Sequence, residues 1–331
     1  MFDGKKILIT GGTGSLGRAL TEKLLESDVK NIRILSREEW KQVQMREELN
    51  DRRLRFLIGD VRDKDRLLMA LEDIDIVFHA AALKHVNVAE YNPFEAVKTN
   101  VYGTQNLIDA CFEKDVETAI AIGTDKAVSP LNTYGATKLL MERLFISANY
   151  YKGKHKIKFI CVRYGNVLGS RGSFVPKIIS QINEGKKITI TDPTMTRFNI
   201  TMKESLELIL RAFIHGSGGE VFIPKLRAYK VGDLKEVIVE QLKAKNEIEE
   251  IPIRPGEKNH EVLINKDELK NAFETEQDYI LFEKGIQKHD LDPSLNAKKA
   301  RLTDEFTSDK VSMLSKEELK EILLKEKLIQ K

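Results

Sequence analysis

Tyr134 and Lys138 have the spacing Tyr-x-x-x-Lys within NTYGATKLLMERL, a segment with the composition of a helix. A separation of four residues places both side chains on one helix face. A lysine ammonium next to a tyrosine lowers the pKa of the phenol, so a phenolate can act as a base near neutral pH. Thr124, ten residues upstream at the end of an apolar segment, is placed to hydrogen-bond the reacting hydroxyl. The alternative is a surface tyrosine on an amphipathic helix.

Asp125 and Lys126 follow Thr124 directly and add an acid–base pair to the same region. Oxidation or epimerisation at one hydroxyl needs no such pair, whereas the elimination of water does. One group must remove a proton from carbon while another protonates the departing hydroxyl. A carboxyl and an amine in consecutive positions could divide these tasks. The alternative is that Asp125 caps a turn and Lys126 is solvated.

A glycine-rich loop lies between the first apolar strand and the first helix, in ILITGGTGSLGRAL. The first glycine permits the turn, the second admits a pyrophosphate close to the backbone, and the third lets helix and strand pack closely. Amide groups at the helix start then face the anion. Glycines that only make a turn are the alternative. The spacing G-x-x-G-x-x-G resembles that of extended short-chain dehydrogenase/reductases, and the candidate residues are Gly11, Thr13, Gly14, Ser15, Leu16 and Gly17.

The ends of the next strands indicate which dinucleotide binds. About twenty residues after the last glycine, where an acid would bind the ribose 2′-hydroxyl, the chain has Ser36 and Arg37. This pair, with Lys41, favours the 2′-phosphate of NADP, although Glu38 and Glu39 weaken the assignment and NAD remains an alternative. A solvated Arg37 would carry no such role. From the superfamily resemblance we expect further cofactor contacts from Asp60, Val61, Ala80, Ala81, Lys84, Tyr134 and Lys138.

Six short apolar segments alternate with helical stretches up to about residue 166: KKILIT, NIRILS, LRFLIGD, IDIVFHAA, TAIAIGT and KFICVRYGN. Continuous Val/Ile/Leu runs are typical of strands buried on both faces. The alternation predicts an α/β fold, a Rossmann-type doubly wound parallel sheet with a smaller α/β substrate-binding lobe.

The predicted domain boundaries follow the change in pattern after residue 166. We expect an NADP-binding domain over 1–166, to which later segments return, and a substrate-binding lobe over 167–284 that includes the strand EVFIPK. A tail over 285–331 should end in a short helix packed on the body. Ser315 and Glu318 have the spacing of a capping box at its start.

Composition excludes several classes of protein. The 331 residues contain 54 Lys+Arg and 51 Asp+Glu, a net charge of +3, which argues against a nucleic-acid binder. Two cysteines exclude a disulfide framework and suit a reducing compartment. No signal peptide and no apolar run of about 18 residues is present, so we expect a soluble cytoplasmic protein with no membrane partner. The histidines lack metal-ligand spacing, and His79 is interpreted as a core residue, so we expect no metal.

Longer motifs identify a narrower resemblance. TDKAVSPLNTYGATK, HAAALKHV, RYGNVLGSRGS, MTRF, RPGEKNHE and FTSDKVSMLSKEEL resemble the inverting UDP-N-acetylglucosamine 4,6-dehydratases of the pseudaminic acid pathway. Retaining nucleotide-sugar dehydratases carry Asp-Glu where this chain has Asp125 and Lys126. A related branch replaces the tyrosine by methionine, and Tyr134 disfavours it here. The resemblance implies UDP-N-acetylglucosamine as substrate.

The resemblance also implies a mechanism. Tyr134, assisted by Thr124 and Lys138, takes the proton of the 4-hydroxyl while hydride passes to NADP⁺. Lys126, as a neutral amine, removes the proton at carbon 5, and protonated Asp125 donates to the leaving 6-hydroxyl. A neutral Lys126 needs a lowered pKa, which the cofactor charge and Lys138 are expected to supply. Hydride returns to carbon 6, and carbon 5 is reprotonated on the opposite face.

Basic and polar loops are expected to bind the substrate. The candidates are Lys84, Asn166, Arg197, Arg254 and Glu257, with Arg171 as a weaker one. Surface ion pairs are the alternative for each. Two arginines suit bidentate recognition of a diphosphate. Dimerisation through the helices around 99–112 and 134–150 is usual in the superfamily, so we expect a homodimer or a higher homo-oligomer.

Two other functions remain open at this stage. One is a different enzyme of the same superfamily, a retaining dehydratase or a 4-epimerase, against which Asp125 and Lys126 argue. The other is a non-catalytic dinucleotide-binding sensor. Such proteins usually lose the tyrosine or the lysine, whereas Tyr134 and Lys138 are both present.

Overall fold

The computed structural model describes residues 1–282 and 292–329. The first half of the chain forms six parallel strands separated by helices, as the apolar segments predict. The strands are apolar throughout because both of their faces are covered. They are β1 (Lys6–Thr10), β2 (Asn31–Ser36), β3 (Leu54–Ile58), β4 (Ile76–His79), β5 (Thr118–Ile122) and β6 (Lys158–Val162).

Helices cover both faces of this sheet. They are α1 (Ser15–Leu25), α2 (Glu39–Leu49), α3 (Lys64–Ala70), α4 (Val86–Tyr91), α5 (Pro93–Val97), α6 (Gly103–Glu113) and α7 (Thr133–Tyr151). A π-helical turn, Lys98–Tyr102, joins α5 to α6. Buried apolar side chains of α3, α6 and α7 form the core on one face, and those of α1 and α2 contribute to the core on the other. The doubly wound α/β fold is therefore confirmed.

The order of the strands creates a crevice at one edge of the sheet. The order is β3-β2-β1-β4-β5-β6, so the chain runs outward from β1 to β3 and then returns to β4 on the other side of β1. Ligands of open α/β sheets bind outside the carboxyl ends of the strands at such a reversal. The loops after β1 and β4 are the ones that flank it here.

The sheet continues beyond β6 with strands from the second half of the chain. β9 (Glu220–Pro224) lies parallel to β6, and β14 (Asp278–Phe282), β13 (Ala272–Glu274) and β15 (Lys298–Lys299) follow in antiparallel pairs. The predicted strand EVFIPK, which lies within the range 167–284, therefore belongs to the main sheet. Every residue of β9 is buried, because the sheet covers its edges and helices cover its faces.

Another segment also returns to the first domain. The helix α9 (Met202–His215) begins at a capping box formed by Thr201 and Glu204, and its buried residues join the core that α1 occupies. The later segments that return to the first domain are thus α9, β9 and β14. The division at residue 166 stays a prediction, and the boundary at 284–285 lies outside the described residues.

The smaller lobe has its own apolar core, built by α8 (Phe174–Asn183), α10 (Val231–Gln241) and α11 (Lys316–Lys325). Leu319 and Leu323 of α11 are buried there, and Ser315 and Glu318 form the predicted capping box. The tail helix therefore packs on this lobe. Three small sheets lie outside the main sheet: β7 (Ile188–Ile190) with β11 (Ile248–Glu250), β8 (Thr196–Phe198) with β10 (Ala228–Lys230), and β12 (Val262–Ile264) with β16 (Phe306–Thr307). The apolar residues of β12 and β16 pack in the core of the first domain.

Across the described ranges, no helix combines the length and the apolar character that crossing a bilayer requires.

Candidate active site

The glycine-rich loop connects β1 to α1 with the geometry that its spacing predicts. Gly11 has φ +66°, and a Cβ there would lie 2.8 Å from backbone atoms of Ala81. A Cβ on Gly17 would lie 2.6 Å from the Cα of Gly12, so helix and loop approach closely only without a side chain. Gly14 precedes α1 and provides no side-chain cap. The first amide groups of the helix are therefore available to an anion.

The predicted adenosine contacts lie beside this loop, at the ends of β2 and β3. The Arg37 guanidinium is 56% exposed and lies 4.0 Å from the Asp60 carboxylate. Asp60 is already held by Arg62 at 2.7 Å, so Arg37 can contact a phosphate. Lys41, by contrast, pairs with Glu38 at 2.6 Å. An anionic group such as a 2′-phosphate would therefore fit beside Arg37 better than beside Lys41.

Arg171, the weaker candidate for substrate binding, contacts the glycine-rich loop. Its backbone amide and Nε are 3.2 Å and 3.3 Å from the Ser15 Oγ, and its guanidinium donates to the Thr13 carbonyl. Lys84 Nζ donates to the Arg171 carbonyl at 2.7 Å. The segment after β6 therefore crosses over the loop and joins it to Lys84.

The reaction cleft begins where β5 ends. Thr124 caps a short 3₁₀ turn, Asp125–Ala127, and its hydroxyl donates to Asp125 Oδ1 at 2.9 Å. Asn132 caps α7, which carries Tyr134 in its first turn. Burial raises the pKa of Tyr134, opposed by the charge of Lys126 and by a hydrogen bond with Thr124. Thr124 and Tyr134 are therefore neighbours, as predicted.

Lys138 is held by groups other than Tyr134. Its Nζ donates to the Ile122 carbonyl at 2.5 Å and contacts the Met141 sulfur at 2.9 Å. Burial lowers the pKa of Lys138 to about 8. The cation that lowers the pKa of Tyr134 is Lys126. Lys138 points to the end of β5, and its assistance to Tyr134 stays a prediction.

Lys126 lies between two buried carboxyl groups. Its Nζ is 3.1 Å from Asp125 Oδ1 and 3.4 Å from Glu261 Oε1, and the side chains of Asp125 and Glu261 are 1% and 4% exposed. Burial by itself would lower the pKa of Lys126, but the two carboxylates outweigh it and raise the pKa. The expected neutral amine with a lowered pKa is therefore corrected: Lys126 rests as an ammonium. Lys126 Nζ also donates to Asn166 Oδ1 at 3.0 Å.

The two carboxyl groups differ in their electrostatic environment. Burial, together with the charge of Glu261, raises the pKa of Asp125 against the attraction of Lys126. For Glu261, burial is outweighed by Lys126, Arg197 and Lys258, and the pKa is lowered. Of the two, Asp125 therefore has the higher affinity for a proton, and Glu261 is more readily ionised.

A cavity of about 450 Å³ opens over these groups. Asp125 and Lys138 are buried and do not line it. The lining brings together every predicted substrate residue except the weaker candidate Arg171 with three of the catalytic ones: Lys84, Thr124, Lys126, Tyr134, Asn166, Arg197, Arg254 and Glu257.

Arg197 is held rigidly at the far side of the cavity. Its Nη1 donates to the Thr196 carbonyl at 2.8 Å and to the Asn259 carbonyl at 3.1 Å. Its charge faces Glu257 Oε1 at 3.3 Å and Glu261 Oε1 at 3.7 Å. A buried guanidinium fixed in this way has a preset orientation toward an anionic ligand.

Sequence reasoning missed three charged residues of this cavity. Glu261 is the last residue of RPGEKNHE, Lys258 lies within the same motif, and Lys177 is in α8. Burial lowers the pKa of both lysines. The motif was the available signal, but nothing in its spacing shows that Glu261 reaches Lys126.

His79 is confirmed as a core residue. It is fully buried between the hydroxyl groups of Thr10, at 2.8 Å, and Thr104, at 3.1 Å. Burial lowers its pKa to about 3, so it is neutral in the fold.

The fold and the two clefts define a Rossmann-type protein of the short-chain dehydrogenase/reductase class. The family described as "Polysaccharide biosynthesis protein" matches residues 7–283, and the chain belongs to this family.

Relatives within the family carry two different enzyme names. The chain is 49% identical to a Campylobacter jejuni protein named UDP-N-acetylglucosamine 4,6-dehydratase (inverting), over 85% of this chain and 84% of that protein. It is 41% identical to a Rickettsia rickettsii protein named UDP-glucose 4-epimerase, over 98% of this chain and 96% of that protein.

Solved structures support the fold. The X-ray structure of Pen from Bacillus thuringiensis matches with a TM-score of 0.93 and 43% identity, covering 99% of this chain and 100% of that chain. More distant structures, 20% to 25% identical, include NAD complexes.

Proposed function

We propose that this chain dehydrates UDP-N-acetylglucosamine to a UDP-2-acetamido-2,6-dideoxy-4-keto-hexose, with inversion at carbon 5. The observation that carries the proposal is the arrangement of Tyr134, Asp125 and Lys126 at one cavity. The tyrosine suits proton removal from a sugar hydroxyl, and the neighbouring acid and amine suit the elimination of water. The dehydratase relative from Campylobacter jejuni supports the same substrate and reaction.

NADP is the cofactor that the residues of the first cleft suit. The amide groups at the start of α1 would hold its pyrophosphate, Arg37 its 2′-phosphate, and Asp60 and Val61 would flank the adenine. Arg171 lies where it would add a positive charge over the pyrophosphate. A bound NADP would supply the hydride acceptor for sugar carbon 4 and the hydride donor for carbon 6.

Tyr134 removes the proton of the 4-hydroxyl in the first half of the reaction. Thr124 hydrogen-bonds the phenol and can position the same hydroxyl. Since burial raises the pKa of Tyr134, a nearby cation must stabilise the phenolate, and Lys126 supplies that charge. Lys138, with a pKa of about 8, is the second basic group behind Tyr134 on α7.

Asp125 and Lys126 act in the second half of the reaction. The 4-keto group acidifies the proton on carbon 5, which Lys126 removes. Burial raises the pKa of Asp125, which suits this carboxyl group to give a proton to the departing 6-hydroxyl. A proton delivered to the opposite face of carbon 5 then inverts the centre.

The far side of the cavity suits the nucleotide diphosphate. Arg197 is buried and oriented, Arg254 is exposed at the rim, and Glu257 can accept a ribose hydroxyl. Asn166 and Lys84 lie nearer to the sugar end of the cavity, beside Lys126 and the glycine-rich loop respectively. A charged, bidentate donor matches a phosphate better than a neutral group does.

An epimerase is the second candidate, because the Rickettsia rickettsii relative carries that name. A 4-epimerase needs neither a base at carbon 5 nor an acid at the 6-hydroxyl. The buried cluster of Asp125, Lys126 and Glu261 would then have no task, so the dehydratase is favoured.

Exposed aromatic side chains and the state of the cysteines bear on the proposed assembly and location of the enzyme. Exposed aromatic side chains on α4, α5, the π-helical turn and α7 support a homodimer through these helices: Tyr91, Phe94, Tyr102 and Tyr150. Both cysteines are free and buried, which supports a reducing cytoplasm. The family description supports a role in the synthesis of surface glycans. Pseudaminic acid is the proposed component of these glycans.

Mass spectrometry of the nucleotide sugar tests the reaction class. Purified enzyme incubated with UDP-N-acetylglucosamine should yield a product lighter by the mass of one water. Tyr134→Phe is the control and should leave the substrate unchanged. A product of unchanged mass with the galacto configuration would instead identify an epimerase.

A further inference from the structure

Glu261 is a buried carboxylate whose second oxygen has no partner. Oε1 lies 3.4 Å from Lys126 Nζ, while Oε2 is buried without a hydrogen-bond partner among the described residues. The backbone of Glu261 is also held in place, because its amide donates a hydrogen bond to Ser308 Oγ at 2.8 Å. The carboxylate is therefore fixed beside Lys126 and can still take a proton.

In the described part of the chain, charged and titratable groups from several elements face Lys126. Asp125 precedes it in the turn after β5, and Glu261 faces it from the loop before β12. Arg197 on β8 opposes its charge, and Tyr134 on α7 favours it. Lys258 lies next to the same carboxylates, and the Tyr229 phenol of β10 is close to the whole group. Two carboxyl groups therefore share the ammonium of Lys126.

This arrangement creates a difficulty for the proposed reaction. A lysine that rests as an ammonium has no lone pair with which to remove a proton from carbon 5. Asp125 cannot accept the proton of Lys126, because in the proposed reaction Asp125 carries the proton for the leaving hydroxyl. Within residues 1–282 and 292–329, Glu261 is the other carboxylate that pairs with Lys126.

We propose that Glu261 accepts the proton of Lys126 and so converts it into the base of the reaction. The inference rests on the proposed function. The ammonium of Lys126 gives one proton to Oε1 of Glu261, which leaves a neutral amine and a carboxylic acid. The amine then removes the proton from carbon 5 and is again an ammonium. Glu261 contacts no reacting atom, so it is a positioning residue that acts through Lys126.

The change in surroundings on substrate binding favours this transfer. A sugar filling the cavity displaces water from Lys126, and charged forms lose more solvation than neutral ones. Arg197, which holds Glu261 ionised at 3.7 Å, is also the predicted diphosphate ligand. A phosphate on Arg197 offsets its positive charge, so its attraction for the Glu261 carboxylate weakens. Both effects raise the proton affinity of Glu261 when substrate is bound.

A pH–rate profile of Glu261→Gln tests the transfer. In the wild type, the proton moves within the pair, so kcat should not rise with pH between about 6 and 9. In Glu261→Gln, Lys126 must lose its proton to solvent. We expect kcat about 100-fold lower at neutral pH and rising about tenfold per pH unit. A flat profile in Glu261→Gln, or a rising limb in the wild type, would overturn the proposal.

Two further variants complete this experiment. Glu257→Gln removes the other carboxylate that faces Arg197 but does not face Lys126, so its profile should keep the shape of the wild-type profile. Glu261→Asp keeps the carboxylate and moves it away from Lys126, so the enzyme should be slower at every pH with no rising limb. If Glu261→Gln does not fold, Glu261→Asp decides: a rate equal to wild type at every pH contradicts the proposal.

A titration without substrate separates this inference from the proposed function. Protein labelled with ¹³C at lysine Cε gives one signal per lysine, and Lys126→Met identifies that of Lys126. The wild-type Lys126 signal should stay that of an ammonium up to about pH 10, and in Glu261→Gln its midpoint should fall by at least about one pH unit. An unchanged midpoint overturns the role of Glu261. A shifted midpoint in an enzyme that ignores UDP-N-acetylglucosamine overturns only the substrate assignment.

Discussion

The cofactor cleft and the reaction cleft lie side by side but are constructed in opposite ways. The first is made of backbone: consecutive residues between β1 and α1 offer amide groups, and Gly11 and Gly17 have no room for a Cβ. The second is made of side chains that come from distant segments, with Asp125, Lys126 and Glu261 as its buried charges.

This difference determines which changes each region tolerates. An added methyl group should damage the cofactor cleft, whereas a removed charge should damage the reaction cleft. Buried charges are costly unless paired, so loss of one member leaves its partner uncompensated. A loop that binds through amide groups depends on backbone shape instead.

The largest effect is expected from Tyr134→Phe. Removal of the phenolic oxygen eliminates the group that takes the proton of the 4-hydroxyl, so kcat should fall about 10³- to 10⁴-fold. Initial rates of product formation measure it. NADP affinity should change little, since the glycine-rich loop is untouched. A comparable loss of cofactor binding would show that the two clefts are not separable.

A smaller but more informative effect is expected from Lys126→Met. The variant keeps Tyr134 and lacks the base for carbon 5, so turnover should fall about 10²- to 10³-fold. Loss of the Lys126 charge should slow oxidation at carbon 4 less than it slows elimination, so reduced cofactor should still accumulate with an absorbance at ~340 nm, a property of the nicotinamide rather than of the protein. Substrate addition without this absorbance would place Lys126 before the elimination step.

Gly11→Ala tests the backbone region. A Cβ at φ +66° costs about 1–2 kcal/mol in strain and collides with the backbone of Ala81, so the loop must move. We expect NADP to bind about 10- to 100-fold more weakly by calorimetry, which corresponds to about 1.4–2.8 kcal/mol. Gly4→Ala is the matched control, because Gly4 has φ +71° and nothing within 4 Å. It should cost stability but leave cofactor affinity unchanged; equal losses would attribute the effect to strain alone.

Arg37→Ala should give the smallest effect. The guanidinium is more than half exposed, so its contact with a 2′-phosphate is partly screened by solvent. We expect NADP affinity to fall about tenfold and NAD affinity to stay the same. Calorimetry with both dinucleotides checks it, and Lys41→Ala serves for comparison because Lys41 is held by Glu38. An equal loss for NAD would remove the case for NADP.

The same contrast explains how much the sequence could predict. The glycine-rich loop is local, since a strand, a turn and a helix follow one another within a dozen residues, and its geometry was predictable. Asp125 and Lys126 are neighbours in the chain, so their pairing was also accessible. The prediction that Asn166 and Arg197 belong to one binding site rested on resemblance to a family.

The errors concern properties that depend on tertiary contacts. The ionisation of Lys126 depends on Glu261, which lies far along the chain, so the sequence suggested a lowered pKa where the fold raises it. The direction of the Lys138 side chain depends on packing at the end of β5. A buried apolar run such as β9 predicts a strand but not the sheet to which it belongs.

Proton NMR of the product formed in heavy water tests the central claim most directly. The enzyme is incubated with UDP-N-acetylglucosamine, and the configuration and isotope content at carbon 5 are determined. The account predicts a 6-deoxy-4-keto sugar of L-arabino configuration with deuterium at carbon 5, because one face loses the proton and the other receives one from solvent. A product of D-xylo configuration would contradict the inversion assigned to Asp125 and Lys126.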